Sequence, residues 1–286
     1  MLKSFKKPTM LAAGCSFTDA AFTSIFHPDW DFSYDKWPDR VARSLKLKHE
    51  NIGLCGLGNP EIANRIMDYL YENPQIKYLF VLWSGYDRFA SGNYHHCPQA
   101  ILTQKYEEEN SGGKRNRGKL RWEAQRELAN KDWSHRDTVF RLENLIPFYK
   151  YYMDAWWDYE KIVTETHRAF YMVQKECERR NIKYMFMQGP TPIAAYSIKE
   201  MANGGYLRGR HWKWHNVSKM GESKYANELE DTCNFVGWPG FDLLGGYAAS
   251  TDPRFEKVSD VDGHPSENGH KLIAEVFMEE YEKAYS

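Results

Sequence analysis

Neither sign of charge dominates this 286-residue chain. It carries 38 Lys and Arg against 39 Asp and Glu, a formal net charge of -1. That balance excludes the footprint of a strongly basic nucleic-acid binder, and equally an acidic tail protein. Long apolar runs are missing as well: nothing approaches the roughly 18 consecutive apolar residues of a membrane span. Cysteine is scarce. Cys15, Cys55, Cys97, Cys177 and Cys233 are irregularly spaced and form no CxxC pair, so neither a disulfide framework nor a cysteine zinc site is expected. The opening MLKSFKKPTMLAAGCS is basic but has too short an apolar stretch for a secretory leader. The expectation is synthesis in a reducing cytoplasm, with later release in a virion left open. There is no internal repeat and no low-complexity tract. Aromatic residues, by contrast, are plentiful at 15%, which excludes a disordered chain.

The first 90 residues alternate between strand and helix signals. Thr9 to Ala13 is a short apolar run ending in Gly14. Lys36 to Leu47 has helical spacing, with Trp37, Val41 and Leu45 on one face and Pro38 in the first turn. His49 to Leu54 reads as a second strand. Asn59-Pro60-Glu61 reads as a cap followed by a first-turn proline, with Ile62, Ile66, Tyr69 and Leu70 behind it. Tyr78 to Trp83, YLFVLW, is the continuous apolar run of a strand covered on both faces. Leu142 to Arg180 is largely helical, Ile182 to Met187 is a further strand, and Ser266 caps a final helix to Tyr285. This order predicts an α/β fold, a three-layer αβα sandwich with a mostly parallel sheet in one domain. Two irregular stretches, about 90–140 and 191–256, are expected as insertions forming a cap or side lobe. In such folds ligands sit beyond the carboxyl ends of the strands. Gly14-Cys15-Ser16, Cys55 to Asn59 and Ser84 to Arg88 would therefore converge on one crevice.

Ser16 lies in GCSFTD at a strand-to-helix corner. A serine there can be exposed, with backbone amides aimed where an oxyanion would form, or it can simply cap a helix. Asp262 and His264 lie two apart in DGHPSENGH, just before the last helix. A nucleophilic hydroxyl needs a base, and the base needs an acceptor to fix its tautomer. One tight loop can supply both, or Asp262 can be an ordinary turn residue.

The four segments GCSFTD, NIGLCGLGN, SGYDRF and DGHPSENGH, in that order, resemble the SGNH (GDSL-like) hydrolase superfamily. The resemblance covers roughly residues 8–90, 160–190 and 255–286, with a looser likeness to phage and environmental-bacterial members. It implies Ser16 as nucleophile, His264 as base and Asp262 as its orienting carboxylate. It also implies backbone N–H groups of Ser16 and Gly56 in the oxyanion hole, and hydrolysis of an ester through an acyl-enzyme with no cofactor and no metal. Three departures stand out. Cys15 occupies a place usually held by Asp. The last block reads D-x-H rather than D-x-x-H, which leaves Asp260 as a second candidate orienter. Asp87 stands where the third block has Asn, and an ionised carboxylate offers no donor to an oxyanion. Asn59 could donate instead, or Arg88 could neutralise Asp87 and point into the site.

Other chemistry is weaker. His95-His96-Cys97 are adjacent residues with no distant partner evident. His211 and His215 flank Trp212, where a zincin helix would carry Glu. GLCGLG at 53–58 has the wrong glycine order for a dinucleotide loop. The basic stretch KRNRGKLRW and the tryptophans of the insertions, Trp122, Trp133, Trp212, Trp214 and Trp238, could serve a glycan or a partner, or a local core. The expected function is a serine esterase acting on an O-acyl group, acetyl foremost, of a carbohydrate or other polar ester. Its partners are the small ester substrate, with no nucleic acid and no membrane span, and a homo-oligomer or virion partner is allowed. The alternative is a non-catalytic protein on the same scaffold, a virion structural or glycan-binding component.

Overall fold

The computed structural model describes residues 9–24, 26–86, 88–91, 94–96, 101–102, 105, 108–109, 123, 126–127, 144–152, 158–190, 223–230, 234–236 and 254–286. In chain order the elements are β1 (Thr9–Gly14), α1 (Trp37–Ser44), β2 (Lys48–Asn51), α2 (Asn59–Glu72), β3 (Ile76–Trp83), β4 (Phe89–Ser91), β5 (Tyr94–His96), α3 (Tyr159–Arg180), β6 (Lys183–Gln188), α4 (Ala226–Glu230), β7 (Phe235–Val236) and α5 (Glu267–Tyr285). The main sheet has the order β2-β1-β3-β6-β7, and every pairing in it is parallel. β4 and β5 form a separate antiparallel pair.

Helices cover both faces, so the fold is the expected three-layer αβα sandwich. α1 packs on α5, and α2 packs on α3. The alternation along β3 shows why the strand had to be apolar throughout. Phe80 points to the α1/α5 face, its ring 5.5 Å from Phe277, which lies 4.9 Å from Trp37. Trp83 points to the other face, 4.4 Å from Phe170 of α3. Both rows are completely buried, and a central parallel strand requires this.

Local signals set the helix ends. Asp158 accepts from the Lys161 N–H at 3.0 Å to start α3, and Asn181 closes it in the left-handed region at φ 53°. Ser266 accepts from the Gly269 N–H at 3.2 Å to start α5. Boundaries shift modestly from the sequence expectation. β2 ends at Asn51 rather than Leu54, because Ile52 and Leu54 instead give their N–H groups to Ala12 and Gly14 at the end of β1. α2 is capped by Gly58, so Asn59 falls inside its first turn. The second irregular stretch is not wholly irregular: its described part supplies α4 and the edge strand β7. The remainder of both stretches, with the KRNRGKLRW run, Cys97, Cys233, His211, His215 and the tryptophans named above, lies outside the described residues. No described helix is long and apolar enough to cross a membrane.

Candidate active site

The chain leaves β1 for β2 on one side and β3 on the other, so β1 sits at the topological switch of the sheet. Ser16 is two residues past its carboxyl end. A tight turn follows, with the Thr18 and Asp19 N–H groups both donating to the Cys15 carbonyl at 2.8 and 3.1 Å. Gly14 permits this close winding. A Cβ there would lie 2.2 Å from Thr18 Oγ1 and 2.5 Å from the Leu82 carbonyl oxygen.

The other half of the site comes from the far end of the chain. The Lys257–Ser266 loop is closed by an antiparallel bridge between Lys257 and Pro265. Backbone bonds from Val258 N–H to the His264 carbonyl (2.8 Å) and from Ser259 N–H to the Asp262 carbonyl (3.1 Å) hold it. The cap at Ser266 then anchors it to α5. In this loop Asp262 folds back on the chain: its Oδ1 accepts from the His264 backbone N–H at 3.0 Å and lies 2.5 Å from His264 Nδ1. His264 Nε2 is 2.9 Å from Ser16 Oγ. Residues 248 apart in sequence are thus in hydrogen-bond contact.

The electrostatics fix the direction of each bond. A carboxylate can only accept, so Nδ1 carries the imidazole proton and Nε2 presents a lone pair to the Ser16 hydroxyl. Asp262 is 1% exposed. Burial alone would raise its carboxyl, but bonding and charge from His264 and a hydroxyl bond from Ser24 outweigh that and hold it well below the usual carboxylate range. The imidazole is packed between two rings, Phe22 at 4.2 Å and Phe17 at 5.2 Å. Ser16 is 4% exposed and the His264 side chain 23%.

The second-block loop lies against the Ser16 turn. Asn51 Nδ2 donates to the Thr18 carbonyl at 2.7 Å, and the Cys55 N–H donates to Asp19 Oδ2 at 3.0 Å. Gly56 follows with φ 87°, a left-handed conformation that favours glycine. Among the described residues neither the Ser16 nor the Gly56 N–H enters a backbone hydrogen bond, so both remain as donors.

Three sequence candidates fare differently. Asn59 is completely buried and its amide is turned to Ser84: Nδ2 donates to the Ser84 carbonyl at 3.0 Å and Oδ1 accepts the Ser84 N–H at 2.7 Å. Asp260 is exposed, and His264 Nδ1 goes to Asp262 instead. Arg88 is half-buried beside the start of α2, its carbonyl carbon and oxygen against Gly58. Asp87 lies outside the described residues. No group of three metal-ligating side chains occurs among the described residues. Sequence reasoning missed the segment after Ser16, which supplies Phe17, Phe22 and Ser24 to the histidine and its carboxylate. An STF-type run of small and aromatic residues carries no signal that could have singled it out.

No protein-family model matches the chain, and no curated protein does. Among solved structures it is similar to a protein of the G-D-S-L family from Desulfitobacterium hafniense DCB-2 described as lipolytic. That likeness has 13% identity, 95% of this chain and 98% of the other covered, and a TM-score of 0.41. It is also similar to LAE5, an alpha/beta hydrolase enzyme from the metagenome of Lake Arreo, Spain, at 12% identity, 98% and 97% coverage and a TM-score of 0.36. Likenesses of this strength leave the chemistry to the side chains themselves.

Proposed function

We propose that this chain is a serine ester hydrolase of SGNH type. The observation that carries the reading is the continuous line from Ser16 Oγ to His264 Nε2 at 2.9 Å and from His264 Nδ1 to Asp262 Oδ1 at 2.5 Å. Ser16 Oγ attacks the ester carbonyl while His264 Nε2 takes its proton. The tetrahedral oxyanion is held by the Ser16 and Gly56 N–H groups. His264 returns the proton to the leaving alkoxide, and the acyl-enzyme remains. Water, deprotonated by the same nitrogen, then releases the acid and restores Ser16. Asp262 keeps Nδ1 protonated and faces the imidazolium that forms at each step. The substrate we infer is an O-acyl group, acetyl foremost, on a carbohydrate or similar polar alcohol.

The test uses a fluorophosphonate probe and p-nitrophenyl acetate. Wild-type protein should label once, at Ser16, and release nitrophenol. Ser16→Ala should do neither. Equal labelling or turnover in that variant would falsify the reading.

A further inference from the structure

We propose that Ser24 is a positioning residue of this site, holding the second oxygen of the Asp262 carboxylate so that the first stays with the His264 ring. The inference rests on the acyl-transfer reading above. Ser24 is 2% exposed, and its Oγ donates to Asp262 Oδ2 across 238 residues of sequence. The direction of that bond is set by a second one. Ser24 Oγ accepts from the Phe26 N–H at 3.1 Å, so its single hydrogen is left for the carboxylate.

The geometry explains what Ser24 adds. Asp262 Oδ1 serves both the backbone and the ring of His264. Rotation about the Asp262 Cβ–Cγ bond would exchange the two oxygens and break both contacts. A buried donor on Oδ2 opposes that rotation. The same post-Ser16 segment braces the loop a second time: His27 Nε2 lies 2.7 Å from Ser259 Oγ, which accepts the Asp262 N–H at 3.1 Å. One segment therefore carries the packing rings, the carboxylate donor and the loop brace.

Removing the Ser24 hydroxyl leaves a buried carboxylate short of one donor. The Asp262–His264 pair then takes up its first proton more readily, whichever member holds it. The neighbouring groups do not obscure this. Tyr34, whose hydroxyl lies 3.4 Å from the Pro265 carbonyl, is raised to about 12 by burial and by Glu267 and Asp262. His270 is lowered to about 3, chiefly by burial. Both stay uncharged across the working range. Glu267 is exposed, and His27 reaches the pair through Ser259 alone.

The experiment compares Ser24→Ala and Ser24→Thr in the full chain, with p-nitrophenyl acetate turnover followed against pH. Ser24→Ala should lower kcat/KM about tenfold and move the acid limb up by about half a pH unit. Ser24→Thr keeps the hydroxyl and should restore both. If Ser24→Ala does not fold, Ser24→Cys, with its weaker donor, carries the same comparison. A slower variant with an unmoved acid limb marks a merely structural role and overturns the proposal. A wild-type protein that neither labels nor turns over defeats the acyl-transfer reading instead. In that event the downfield ring N–H proton of His264 decides the Ser24 question by NMR. Its presence in wild type and Ser24→Thr with displacement in Ser24→Ala supports the proposal. Its absence from wild type, or an unmoved signal in Ser24→Ala, overturns it.

Discussion

Two buried polar clusters sit at the carboxyl edge of the same sheet, and they are built on opposite plans. The first joins Ser24, Asp262, His264 and Ser16. It is charged, and its bonds run from side chain to side chain until they reach a hydroxyl. The second joins Asn59, Ser84 and Gln188. It is neutral, and its bonds end on backbone: Asn59 holds both the N–H and the carbonyl of Ser84, while Gln188 Nε2 donates to the carbonyls of Ser84 and Pro190, each at 2.8 Å. The second cluster ties the first turn of α2 to the ends of β3 and β6, and its chain of bonds closes on itself. Burial of polar groups thus does not by itself mark a reactive site. What distinguishes the first cluster is an acceptor without a proton at one end and a transferable proton at the other.

The largest effect should fall on that distinction. Asp262→Asn keeps the size of the side chain but can donate where the carboxylate only accepts, so His264 would carry its proton on the wrong nitrogen. Ester turnover should fall by about 10³–10⁴-fold. The matched change Asp260→Asn touches an exposed residue that does not contact the imidazole, and its turnover should match wild type. Equal losses in the two variants would mean that either carboxylate can serve, and that the fixed Asp262 geometry is incidental.

The fold was legible because its signals are local. YLFVLW needs two covered faces wherever it lies, and the proline at residue 60 pins the start of α2 to within one position. Ser16, Asp262 and His264 were legible only as a set, since each alone has a plain structural explanation. Their order relative to the strands joined them. Asn59 and Ser24 exchanged expected importance for a physical reason. The burial of an amide beside a free backbone pair, and the aim of one hydroxyl at a carboxylate 238 residues away, are three-dimensional facts that no spacing in GLGN or FTSIF encodes. Asp260 and Asp262 could not be separated from spacing either. The Lys257–Pro265 bridge decides which one faces inward.

A medium effect tests the second cluster. Asn59→Ala would strip the Ser84 N–H of its partner and the Ser84 carbonyl of one of two donors, in a completely buried place. Urea denaturation should show a loss of about 2–4 kcal/mol. Turnover per folded molecule should fall much less than the roughly 100- to 1000-fold seen when an oxyanion donor is removed. A fall of that size with stability intact would make Asn59 a donor to the oxyanion and merge the two clusters into one site.

The smallest effect compares two imidazoles six residues apart. His264 has a carboxylate on Nδ1. His270 is 3% exposed, its Nδ1 accepts the Trp37 N–H at 3.3 Å, and no carboxylate contacts its ring. Burial first, and then the charges of Lys36 and Arg40, lower it from 6.5 to about 3. Between those values the unfolded chain binds a proton that the folded chain refuses, so stability falls as pH drops below about 6.5. The slope assigned to His270 is at most about 1.4 kcal/mol per pH unit. The Asp262 carboxyl, held low in the fold, withdraws its stabilisation only as pH falls below its ordinary 3.8. The interval from pH 6.5 down to about 4.5 therefore isolates the histidine effect. Denaturant midpoints of His270→Gln should decline less steeply than wild type over that interval. Parallel curves would show that His270 is charged in the fold, and that an imidazole here can be buried with a proton even without a carboxylate.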